Sequence, residues 1–83
     1  MININEIRIT KINKGNMLAY ASIMIDNCFI IEGIELREGE KGKYILMPLD
    51  AKRKKAKRNS AYPITDEARE KILNSIVEEY AKE

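Results

Sequence analysis

Met17-Leu18-Ala19-Tyr20-Ala21-Ser22-Ile23-Met24-Ile25 reads as a central β-strand. Successive side chains of an extended strand point to opposite faces, so Ala19, Ala21, Ile23 and Ile25 share one side. Leu18, Tyr20, Ser22 and Met24 share the other, and that side is mostly apolar as well. Apolar residues on both faces place the strand inside a sheet and predict a cover on each side: a helix, another sheet or another subunit. Turn residues bound the strand. Lys14-Gly15-Asn16 before it and Asp26-Asn27 after it tolerate the positive φ of tight hairpins.

Strands continue outward from it. Ile2 and Ile4 alternate with Asn3 and Asn5, whereas Ile7 and Ile9 alternate with Arg8 and Thr10 one position out of phase. A slip of one residue flips the face, which predicts a bulge near Asn5-Glu6. Cys28 to Arg37 alternates again, with Ile30, Ile34 and Leu36 set against Phe29 and Ile31. Gly39-Glu40-Lys41-Gly42 is a further turn, and Tyr44 to Met47 a short strand stopped by Pro48. Short turns make sequence neighbours pair antiparallel, giving a meander of about four strands. The C-terminal end is helical. Thr65 supplies a capping hydroxyl and Asp66 and Glu67 the acids of a first turn, while Ala68, Ile72, Leu73, Ile76, Val77 and Tyr80 form one apolar stripe. Glu67 with Lys71 and Glu78 with Lys82 stand at the i,i+4 spacing of helix ion pairs. The expected fold class is α+β, one domain over 1–83, with an antiparallel sheet over 1–48, a basic loop over 49–62 and a C-terminal helix over 63–83.

Composition narrows the function. A 45% hydrophobic content argues for a packed core. With no His, the chain lacks the commonest general base and the commonest zinc ligand, and the single Cys28, in an apolar stretch, has no disulfide partner. No glycine-rich phosphate cradle is present: Gly39 and Gly42 flank a turn that opens no helix. The chain is therefore expected to be no enzyme, with no catalytic residue, metal, cofactor or small-molecule substrate. No basic start followed by an apolar block marks a signal peptide, and no apolar run approaches the ~20 residues of a membrane span. A cytoplasmic protein without membrane insertion is expected.

Charge is distributed unevenly. Lys52, Arg53, Lys54, Lys55, Lys57 and Arg58 hold six of the fifteen cations; the rest of the chain carries nine Lys and Arg against 13 Asp and Glu, a net of −4. One reading is a solvated loop. The other is a polyanion site, since like charges crowded together repel until an anionic partner relieves them, and a helix N-terminus that suits phosphate follows at once. Phosphate contacts confer affinity without sequence choice. Arg53 and Arg58 have the chemistry for guanine edges, Asn59 for adenine, and Tyr62 for stacking or for closing a core. A second class of function also fits: a protein-interaction module of the division machinery whose basic segment docks on an acidic partner. The two-sided strand leaves more apolar surface than one helix covers, which predicts a homodimer.

The order of motifs from Ile4 to Tyr80 resembles the SpoVG family (stage V sporulation protein G). The resemblance rests on Ala21-Ser22-Ile23, Asp26-Asn27, Phe29-Ile30-Ile31, Gly42, Met47-Pro48 and Ala61-Tyr62-Pro63-Ile64, with Arg69, Ile72, Val77 and Tyr80 on the helix. It implies a homodimeric regulator that binds DNA and RNA and affects gene expression, septum formation and sporulation. It places the nucleic-acid contacts between Met47-Pro48 and the helix, over Lys52 to Arg58, with Arg58 the best match to a basic position of the family. The chain departs from the pattern there: the segment lacks the usual Pro and Gly and is more basic, Asn59 stands where Asp is common, and Tyr62 where His is common. Tighter and less selective binding is the expected consequence.

Overall fold

The computed structural model describes residues 2–49 and 59–83. Four strands, β1 (Ile4–Lys14), β2 (Met17–Ile25), β3 (Phe29–Gly39) and β4 (Gly42–Leu46), precede one helix, α1 (Asp66–Lys82). Sheet order is β1-β2-β3-β4, every pair antiparallel. This is the α+β meander that the turn spacing predicts.

The turns follow from local chemistry. Asp26 and Asn27 both take positive φ, 51° and 55°, and the Cys28 N–H closes the turn on the Ile25 carbonyl at 3.0 Å. Two consecutive positive φ values match the right-handed twist of hairpin strands. The phase slip in β1 is also present. Ile4 pairs with Ile25 and Glu6 with Met24, leaving Asn5 as an extra residue. Its Oδ1 accepts the Asn27 N–H at 2.6 Å, and the Asn3 carbonyl accepts the Asp26 N–H at 2.8 Å. The bulge thus docks the start of β1 on the second turn.

A second bulge corrects the expected faces of β3. Between the pairs Ala21–Ile34 and Ile23–Ile31, β3 supplies one residue more than β2. Gly33, at φ 78°, absorbs it, and a residue without Cβ adopts that angle without strain. Strict alternation would group Ile30 with Ile34 and Leu36. The bulge instead puts Ile31 in their row, and Ile30 pairs with Met24 on the opposite side, 62% exposed. Cys28 differs from expectation too: it lies in the turn and is exposed, so its apolar neighbours do not enclose it.

One face of the sheet packs on α1. Ala19, Ala21 and Ile23 of β2, Ile34 and Leu36 of β3, Met47, and Ile72 and Ile76 of the helix form the core, with Ile7, Ile9 and Ile45 packed around it. Each fully buried isoleucine or leucine contributes roughly 1.5–3 kcal/mol of transfer free energy. Thr65, extended at φ −125° and ψ 151°, caps α1 by accepting the Ala68 N–H on Oγ1 at 3.1 Å. Two long side chains then fasten the helix to β1. The Lys71 ammonium donates to the Ile2 carbonyl at 2.6 Å, in place of the expected pairing with Glu67. The Tyr80 hydroxyl donates to Asn13 Oδ1 at 2.6 Å, with the Lys11 ammonium 4.8 Å above its ring.

The other face has no cover within the described residues. Tyr20 and Leu46 stand in one row across it with Glu35 between them; Tyr44 stands beside Arg37 in the next. Tyr20, Tyr44 and Leu46 are each more than a third exposed.

Candidate nucleic-acid interface

All six expected contact residues, Lys52, Arg53, Lys54, Lys55, Lys57 and Arg58, lie outside the described residues. Leu49 and Asn59 form an antiparallel bridge. The Asn59 side-chain amide donates to the Met47 carbonyl at 2.9 Å and, more distantly, to the Pro48 carbonyl at 3.4 Å. The Ser60 N–H reaches the same Pro48 carbonyl at 2.8 Å and its hydroxyl does so at 3.3 Å. A carbonyl oxygen has two lone pairs and can take more than one donor. The expected free connection over 49–62 is therefore clasped at its two ends. The clasp sits past the end of β4 and leads into the N-terminus of α1. Pro48 also runs beside the β3 bulge: a Cβ placed on Gly33 would lie 3.7 Å from that of Pro48.

This geometry redistributes the roles expected of the flanking residues. Asn59 directs its amide to backbone carbonyls, so the donors that suit adenine are engaged within the chain. Tyr62 does not close the core; it is 63% exposed. The helix N-terminus is a poorer phosphate site than its position suggests. Thr65 takes one of its amides, and Asp66 and Glu67 place carboxylates on its first turn. Arg69 stands in the first turns of α1, with its Nη1 3.6 Å from Asp66 Oδ1 and both side chains well exposed.

A cleft of about 220 Å³ opens beside the clasp, its lining including Met47, Asn59, Tyr62, Pro63 and Arg69. A larger apolar groove of about 380 Å³ lies on the far side of Tyr62, between Ile25 and Ile31 of the sheet and Ile64 and Ile72. On the open sheet face the Arg37 guanidinium contacts Glu35 at 2.7 Å and Asn16 Oδ1 at 3.2 Å. The hydrogen bond to Glu35 raises the Arg37 pKa above its ordinary value, partial desolvation opposes the rise, and the guanidinium stays charged. No helix among the described residues is long and apolar enough to cross a membrane.

An antiparallel four-stranded meander covered on one face by a C-terminal helix, with the chain bridged between Leu49 and Asn59 on either side of its most basic stretch, defines a small α+β domain. Residues 2–82 match the family model SpoVG, and the chain belongs to that family. Its relatives named "Putative septation protein SpoVG" include one from Agathobacter rectalis, 42% identical over 99% of this chain and 95% of its own length. Those from Treponema denticola and Archaeoglobus fulgidus are 39% and 36% identical, covering 98% and 100% of this chain and 88% and 99% of their own lengths.

Proposed function

We propose that the chain is a nucleic-acid-binding regulator without catalytic activity. Its basic segment, Lys52 to Arg58, neutralises phosphates of DNA or RNA, and two such segments act together in a homodimer. The observation that carries the reading is the charge division: six cations within seven residues, on a chain whose remainder is net −4. The clasp of Asn59 on Met47 and Pro48 supports it, because it ties down both ends of that segment. Phosphate contacts of this kind confer affinity, and sequence choice must come from elsewhere. The relatives' name points to septation as the process served, and sporulation is what the resemblance of the motifs implies.

A gel-shift titration tests the reading. Replacing Lys52, Arg53, Lys54 and Lys55 together with Ala weakens binding of both duplex and single-stranded probes. Unchanged affinity removes the segment from the interface. Association that survives nuclease treatment of a lysate favours instead a protein-interaction module docking on an acidic partner.

The dimer reading rests on the open sheet face, where Tyr20, Leu46 and Ile30 are exposed beside the half-buried Met24. Exposed apolar side chains grouped on one face mark an association surface.

A further inference from the structure

The cleft beside the clasp joins an aromatic face and a cation at one place. Tyr62 lies 63% exposed on a segment held by Asn59 and Ser60 on one side and by the Thr65 cap on the other, so its ring is presented on a fixed backbone. Arg69 lines the same cleft from the first turns of α1. Its ion-pair partner Asp66 is 3.6 Å away with a side chain 95% exposed, a loose pairing in water that a phosphate can displace. Ile45, Met47 and Pro63 add apolar lining. At about 220 Å³ the cleft falls below the ~300–1,000 Å³ typical of sites that enclose whole small-molecule ligands, and suits one planar group.

We infer that this cleft takes a single unpaired nucleobase, stacked on the Tyr62 ring, with Arg69 on a neighbouring phosphate. The inference rests on the nucleic-acid reading above and adds a preference to it. A base inside a duplex has both faces covered by its neighbours, so a stacking cleft selects single strands. Its position favours this occupant over others. Asn59 lines the cleft and follows Arg58 directly in the chain, so the cleft adjoins one end of the six-cation run. Stacking tolerates any base, which gives strand-type selectivity without sequence selectivity.

The chain contains no Trp, so Tyr62→Trp installs a single reporter at the cleft. Titrating it with oligo-dT and oligo-rU quenches its emission, whereas a duplex of equal length binds without quenching. Tyr62→Ala weakens single-strand binding roughly fivefold or more and leaves the salt slope unchanged, because no phosphate contact is lost; Tyr62→Phe restores affinity. Arg69→Gln flattens the slope for single strands by about 0.7. Unquenched emission from a bound oligonucleotide overturns the cleft and leaves the basic segment standing. Absence of binding by the parent chain overturns both. Emission that shifts with protein concentration alone makes the cleft a contact between copies, which also overturns it. Far-UV circular dichroism of each variant confirms that the exposed substitutions leave the fold intact.

Discussion

The Asn59 side-chain amide donates to the Met47 carbonyl at 2.9 Å, joining two residues twelve positions apart across the most basic stretch of the chain. A backbone bridge alone would hold Leu49 to Asn59; the side chain adds donors to carbonyls past the end of β4 that no strand pairs.

Asn59→Ala removes both contacts of the clasp amide and lowers stability by about 1 kcal/mol. Urea unfolding reads this as a lower midpoint at unchanged slope. Trypsin cleavage within the basic segment accelerates in the same variant.

Gly33→Ala has open space for its methyl group, with the nearest contact 3.7 Å away at Pro48, so its cost is conformational. A non-glycine residue at φ 78° costs about 1–2 kcal/mol. A midpoint shift of that size is expected on thermal or urea unfolding; no shift would mean that the bulge relaxes to an unstrained angle.

Ile76 is wholly buried under the sheet, and Ile76→Ala loses roughly 2–5 kcal/mol through transfer and cavity terms. For a domain of this size that loss is comparable with its total stability. Thr65→Ala, which deletes only the cap, costs about 1 kcal/mol, and Thr65→Ser restores most of it.

If all six cations of the basic segment meet duplex phosphates, log K falls against log salt with a slope of roughly −5 per protomer. Replacing Lys52, Arg53, Lys54 and Lys55 with Ala brings the slope to about −2. A parent slope near zero would show that phosphate neutralisation is not the source of affinity.

Tyr20→Lys and Leu46→Lys place cations in one row of the open sheet face. Sedimentation equilibrium of the parent is expected to give twice the 9.6 kDa chain mass, and the double variant the single mass. A parent that sediments as one chain refutes the homodimer; a double variant that stays paired moves the interface off this face.

Strand order, the hairpin turns, the Asn5 bulge and the capped helix are all legible in the chain. Each is written in residues close together: Asp26-Asn27 accepts positive φ, Thr65 precedes two acids, and the Ile2-Ile4 phase breaks before Ile7-Ile9. The alternation of β3 breaks across Glu32-Gly33, because it holds only while no residue is inserted and the strand glycine is the local sign of insertion. Cys28 was misread for a related reason: its apolar neighbours belong to the strand that starts at Phe29, and it belongs to the turn. Lys71 stands at pairing distance from Glu67 along the helix, yet the Ile2 carbonyl, brought near only by packing, takes its ammonium. Of the site, the charge run was plain and Tyr62 was ambiguous. The clasp was invisible, since nothing local to Asn59 indicates Met47 or Pro48 as its partner.

The amino-acid order alone settled which elements form and in what sequence, because helix caps, turns and periodicity act over a few residues. Which sheet face the helix covers, and where the basic segment is clasped, were decided only by tertiary packing. Both depend on residues far apart in the chain, and the apolar pattern of β2 fits a cover on either side. The one helix buries Ile72 and Ile76 against Ala19, Ala21 and Ile23, and leaves Tyr20 and Leu46 facing outward.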